Sequence, residues 1–255
     1  MISNPVTGAG YFFKGLSLLN KRGVRRFVIV PLLINVLIFA GLIWLSADQF
    51  GMFIDWMTPT LPEWLLWLTW LLWLVFGLMA FIVLFFGFSI LANLVGAPFN
   101  SYLAAAVEKH LTGQPLPDSG KSVWQDAVEA ILGELKKILY YLMWAIPLFI
   151  LSFIPGINLL SPLLWALFGA WMLSLEYMDY PLGNYGLTFP TIRRKISEQR
   201  MLSLGFGAAA MLGTLIPLFN FLVMPVSVAG ATALRVEQIP LDTLPQDETE
   251  KLSGS

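Results

Sequence analysis

The 255-residue chain contains no cysteine and a single histidine, His110. The first absence excludes disulfides and thiolate metal sites. The second excludes any multi-histidine zinc, haem or facial-triad centre drawn from one chain. Charge is scarce too: 12% of residues are charged, against about 25% in an ordinary soluble domain, and 57% are hydrophobic. So little polar surface cannot cover the chain in water. The 10 Trp, 19 Phe and 7 Tyr, with a mean hydropathy of +0.74, point the same way, to a membrane protein.

Catalytic signatures are also missing. There is no phosphate loop of the ATPase kind, no Gly-x-Ser-x-Gly elbow and no HExxH helix. An intramembrane aspartyl enzyme would need two acids at depth, yet no acidic residue lies inside the long apolar intervals. The chain is therefore expected not to be an enzyme, with no cofactor, no metal and no nucleic-acid partner.

Four intervals carry no charge: Phe27 to Ala47, Trp64 to Val107, Ile138 to Leu175 and Met201 to Leu234, of 21, 44, 38 and 34 residues. A hydrocarbon core about 30 Å thick takes roughly 20 helical residues. The first interval is one span, with no convincing signal peptide ahead of it. Basic residues set the sidedness. Lys14, Lys21, Arg22, Arg25 and Arg26 precede the first span without an acid among them, which predicts a cytoplasmic N-terminus. The following loop holds Asp48, Asp55 and Glu63 and no cation, so it faces the other side. Lys109, Lys121, Lys136 and Lys137 return to the cytoplasm if the second interval crosses once, near Leu68 to Ile90. A break in direction is expected at Gly96-Ala97-Pro98, followed by a cytoplasmic or interfacial helix.

Arg193, Arg194, Lys195, Arg200, Arg235 and Lys251 stay on the cytoplasmic side if each remaining interval leaves and re-enters as a hairpin. Pro155-Gly156 marks one turn and Pro217 to Asn220 the other. The limbs of the last hairpin, Met201 to Ile216 and Phe221 to Leu234, reach only about 24 and 21 Å at 1.5 Å per residue. The expected fold is thus an all-α integral membrane protein with two long transmembrane helices plus two partly inserted (hemi-penetrating) helical hairpins. Six ordinary spans kinked at prolines are the alternative. A re-entrant tip leaves backbone groups unpaired at depth unless protein or water covers them, so a homo-oligomer is expected. Residues 1–239 form one helical membrane domain with a polar cytoplasmic segment at about 108–137, and 240–255 a disordered acidic tail. Within the polar segment, Trp124, Ala127, Val128 and Ile131 recur at helical spacing.

Among candidate sites, Arg25 and Arg26 stand directly before the first span, with Gly8, Gly10, Gly15 and Gly23 upstream. Adjacent guanidiniums beside the amides of a glycine-containing turn or helix start can wrap a tetrahedral oxyanion. The same charges also serve topology and contact membrane lipid headgroups. Glu176 and Asp179 share a helical face, and Arg193 and Arg194 are their candidate ion-pair partners, as gate or as scaffold. Asn93, Asn158 and Asn220 either line a polar path or serve as interhelical bonds and turn caps. Gly205, Gly207 and Gly213 allow close helix packing.

Gly15-Leu16-Ser17-Leu18-Leu19, Arg25-Arg26-Phe27 before Pro31-Leu32-Leu33-Ile34-Asn35, Ala97-Pro98-Phe99-Asn100, and Leu175-Glu176-Tyr177-Met178-Asp179-Tyr180-Pro181 together resemble the CysZ family of bacterial sulfate permeases over nearly the whole chain apart from the tail. The resemblance implies a multi-pass inner-membrane protein that admits sulfate to the cytoplasm for cysteine synthesis, with sulfite as a competing ligand. It also implies two long helices, two half-inserted hairpins and a multimer. Its sulfate-binding motif falls on Gly15, Leu16, Leu19, Arg25 and Arg26, with Glu176, Asp179, Arg193, Arg194 and Asn93 as network or path candidates. The competing expectation is a scaffold or regulatory partner of another transporter that moves nothing itself.

Overall fold

The computed structural model describes residues 4–58, 62–116, 123–216 and 219–239, leaving aside the side chains of 35, 57, 83–98, 123–131 and 221. Helix is the regular structure of the described residues, which contain no strand. They fall into two compact units, one of residues 26–99 and one of 1–25 with 100–255.

In the first-mentioned unit, α2 (Arg26–Met57) begins where the basic cluster ends. It reaches about 48 Å at 1.5 Å per residue. α3 (Trp67–Thr112) follows a short 3-10 turn at Glu63–Leu65 and contributes its residues up to Phe99 to this unit. From Phe27 to Ala47 α2 carries no charge on any side, as a helix solvated by lipid would. Leu37 and Trp44 are 70% and 71% exposed. Phe50 stacks on Phe76 with ring centres 4.1 Å apart and meets Trp73 edge-on at 4.8 Å. α3 stays helical through Gly96-Ala97-Pro98 to Thr112, so the segment beyond these residues is not the separate helix that the proline suggests.

The larger unit holds α1 (Pro5–Leu19), the end of α3, α4 (Val123–Leu151), α5 (Ser161–Gly183), α6 (Phe189–Glu198), α7 (Arg200–Thr214) and α8 (Asn220–Gln238). α1 starts cleanly because the Asn4 side chain accepts the Val6 amide at 2.9 Å and Pro5 needs no acceptor of its own. The α4–α5 turn lies at Pro155-Gly156. Gly156 takes φ +87°, which only glycine adopts at little cost, and the Asn158 side chain accepts its amide at 3.2 Å. Asn158 is thus a turn cap. The limbs are joined near this turn by the Trp165 indole, which donates to Ser152 Oγ at 3.1 Å. Among the described residues, three helical stretches are long and apolar enough to cross a membrane: Arg26–Trp56, Glu63–Ile82 and Ile157–Gly183.

The core of this unit is a close packing of α1, α5, α7 and α8. Water cannot drive helix association in lipid, so small residues that let backbones touch take its place. A Cβ on Gly8 would stand 1.9 Å from the Leu202 carbonyl oxygen, and one on Gly205 1.9 Å from that of Pro5, so α1 and α7 cross backbone to backbone. Gly15 and Gly230 make the matching contact between α1 and α8. Polar side chains close the α1–α8 seam: Tyr11 Oη donates to Glu237 at 3.1 Å and accepts from Gln238 Nε2 at 2.9 Å, while Lys14 pairs with Glu237.

These contacts give Gly8→Ala and Gly10→Ala opposite signs. The first forces a methyl into a carbonyl and should destabilise by about 1–3 kcal/mol. At Gly10 nothing lies within 4 Å, and alanine should stabilise the helix by up to about 1 kcal/mol. Thermal unfolding of the two purified variants checks both.

Candidate functional site

The basic cluster lies between α1 and α2. In the larger unit, Lys21 to Arg25 form a turn in which the Val24 and Arg25 amides both donate to the Lys21 carbonyl, at 3.1 and 3.3 Å. Gly23 takes φ +87°, another left-handed position, and Val24 is buried while Lys21, Arg22 and Arg25 are exposed. The turn is therefore pinned by one apolar side chain and keeps its cations outside. Arg26 opens α2 in the other unit, exposed, with its guanidinium 4.7 Å from the Phe27 ring centre.

Gly15, Leu16 and Leu19 are placed differently from one another. Gly15 is buried against α8, Leu16 is exposed and Leu19 is half-buried. The amides of Gly15 and Leu16 lie well inside α1, where helical bonding to the carbonyls four residues back uses them. They are not spare donors.

Glu176 and Asp179 do share one face of α5, but their cation is Lys137 of α4, not Arg193 or Arg194. Lys137 Nζ donates to Asp179 at 2.9 Å and to Glu176 at 3.2 Å, and pairs with Glu134 at 2.6 Å. Lys137 is buried. Burial works against its ammonium, yet Asp179 and Glu176 outweigh that and hold its pKa above the ordinary lysine range. Arg193 instead lies 5.0 Å from the Tyr140 ring centre. Arg194 is exposed, and its carbonyl accepts from the Ser197 hydroxyl at 2.6 Å. The side chain of Asn93 lies outside the described residues.

A second charged group was not singled out by sequence reasoning. Glu108 near the end of α3 and Arg235 near the end of α8 form an ion pair, 4% and 6% exposed. Tyr185 Oη donates to the same Glu108 oxygen, and its ring lies 4.7 Å from the guanidinium carbon. Burial, then the bond to Glu108, push the Tyr185 phenol up to about 12. Glu108 Oε2 and Arg235 Nε make no hydrogen bond among the described residues. A signal for this pair was present in the sequence: Glu108 and Arg235 immediately follow the second and fourth charge-free intervals, as Lys137 and Glu176 bracket the third. Among the described residues no group of three or more His, Cys, Asp or Glu is placed to hold a metal ion.

A family model described as sulfate transporter CysZ/etoposide-induced protein 2.4 matches residues 11–225. Proteins named sulfate transporter CysZ are similar along most of both chains. That of Pectobacterium atrosepticum is 42% identical over 91% of this chain and 85% of its own length. The Pseudomonas fluorescens protein is 40% identical over 91% and 94%, and the Salmonella typhimurium protein 41% identical over 91% and 93%. The chain belongs to this family and is a membrane protein.

Glu108→Gln should destabilise by about 3–5 kcal/mol, because it strands a buried guanidinium. Replacing both partners, Glu108→Leu with Arg235→Met, should recover most of that loss in thermal unfolding. A raised phenol pKa means the folded state holds its proton more tightly than the unfolded state. The Tyr185 contribution is therefore complete below pH 10 and is lost as pH rises from about 10 to about 12. Tyr185→Phe should flatten that part of the stability profile.

Proposed function

We propose that the chain admits sulfate across the bacterial inner membrane to the cytoplasm, where it supplies assimilation into cysteine. The observation that carries this reading is the match along 91% of the chain to proteins named sulfate transporter CysZ. Sulfate is a dianion at neutral pH, and stripping it of water without replacement donors costs several kcal/mol or more. Arg25 and Arg26 supply charge, each guanidinium offering a fork of donors to an oxyanion. Gly15 serves this site indirectly by seating α1 on α8, with Leu16 and Leu19 on the last helical turn of α1. A shallow, exposed pair of cations captures the ion without trapping it, as conduction requires.

The layout that fits this role has the N-terminus in the cytoplasm, α2 and the first part of α3 as long spans, and α4–α5 and α7–α8 as partly inserted hairpins within one membrane domain, 1–239. Several copies assemble to cover the hairpin tips. Lys137, with Glu176 and Asp179, holds the α4–α5 hairpin shut at its base.

Radiolabelled sulfate flux into proteoliposomes holding this chain alone tests the transport reading. No flux from correctly inserted protein would favour the scaffold instead. Arg25→Gln with Arg26→Gln should weaken sulfate binding at least about tenfold, as lost charge-assisted hydrogen bonds do, while insertion is unchanged. Equilibrium dialysis of the purified variant measures this, and unchanged affinity would remove the site.

A further inference from the structure

Between α4 and α6 lies an open groove of about 250 Å³ that the transport reading does not use. Its lining carries two cations, Lys136 on α4 and Arg193 on α6. Leu139 and Met143 continue the α4 wall at the spacing of one helical face, and Phe189 and Pro190 form the α6 wall. Among the described residues no acidic side chain lines the groove, and neither Lys136 nor Arg193 has a carboxylate within ion-pair distance. The neighbouring Lys137 is already committed to Glu134, Glu176 and Asp179. Lys136 and Arg193 are thus the two cations that line an otherwise apolar groove.

The groove is built rather than incidental. Tyr140 also lines it and is held by three contacts. Its hydroxyl accepts from the Trp171 indole at 3.1 Å, its ring meets Phe189 edge-on with centres 5.8 Å apart, and Arg193 lies over its face. α6 is strongly amphipathic: Phe189, Ile192 and Ile196 are buried while Arg193 and Arg194 are exposed. The axis of the groove also crosses a boundary in the sequence. Lys136 and Lys137 are the last charges before the third charge-free interval, whereas Leu139 and Met143, 60% and 56% exposed, lie inside it. From Lys136 to Met143 the helix rises about 10 Å.

We propose that this groove is a binding site for an anionic phospholipid, its phosphate held by Lys136 and Arg193 and one acyl chain lying along Leu139 and Met143 against Phe189. Charge complementarity selects an anionic over a zwitterionic headgroup, and the apolar walls select a lipid over a free phosphate. Basic pockets between helices at a membrane face recognise such headgroups by this combination.

The test compares dioleoyl phosphatidylglycerol with dioleoyl phosphatidylcholine, each titrated into the purified full-length protein in detergent and followed by native mass spectrometry and thermal unfolding. Phosphatidylglycerol should be retained preferentially and raise the unfolding midpoint. Lys136→Gln with Arg193→Gln should lower its apparent affinity about 30-fold, about fivefold for each cation. Leu139→Glu should abolish retention with both cations intact, and Arg25→Gln with Arg26→Gln should leave it unchanged. Equal retention of the two lipids, retention insensitive to the groove variants, or competition by glycerol phosphate at matching concentration would overturn the proposal. Because the chain has no cysteine, Met143→Cys is a single-site probe. Cross-linking between copies through it in phosphatidylglycerol nanodiscs would assign the groove to a second copy and also overturn it.

Discussion

The polypeptide can place several long uncharged helices together because the charges at their ends answer one another. Glu108 and Arg235 close the ends of two charge-free intervals that lie 127 positions apart, and Lys137 joins the beginning of a third to its own end at Glu176 and Asp179. A charge at the edge of a low-dielectric region is tolerated when it is paired and hydrogen-bonded, and is costly alone. Pairing them with each other spares the hairpins a separate polar domain at their bases. It also fixes register, since a one-turn slip of α4 against α5 moves Lys137 about 5.4 Å from its carboxylates.

The two charged groups differ in kind. The Lys137 group has three carboxylates around one ammonium and retains net negative charge, with Glu134 exposed to solvent. The Glu108 group is electrically balanced, almost wholly enclosed, and finished by a neutral phenol. The first can exchange partners with water close by. The second can change only if its surroundings open.

Much of this was legible in the residues. The absence of charge after Arg26 locates the start of α2, and Pro155-Gly156 locates the α4–α5 turn to the residue, because proline and a left-handed glycine leave little else for the backbone to do. What was not legible depended on distance along the chain. α1 has no charge pattern to mark its buried face, and the residues that cover that face lie near Gly205 and Gly230. The cation for Glu176 and Asp179 was sought nearby, at Arg193 and Arg194, when helical hairpins bring together the two ends of an apolar interval rather than its flanking loop. Gly15 shows a further limit: a glycine in a binding motif suggests a backbone donor, and here the backbone contact it permits is with another helix.

The seating of α1 between α7 and α8 has a consequence for synthesis. Its contacts are made with segments translated about 200 residues later, which at roughly 5–20 residues per second means a wait of about 10–40 seconds. During that interval the glycine-lined face around Gly8 and Gly15 has no partner. α1 is thus made long before it can dock, and the turn that follows it settles only when α8 arrives.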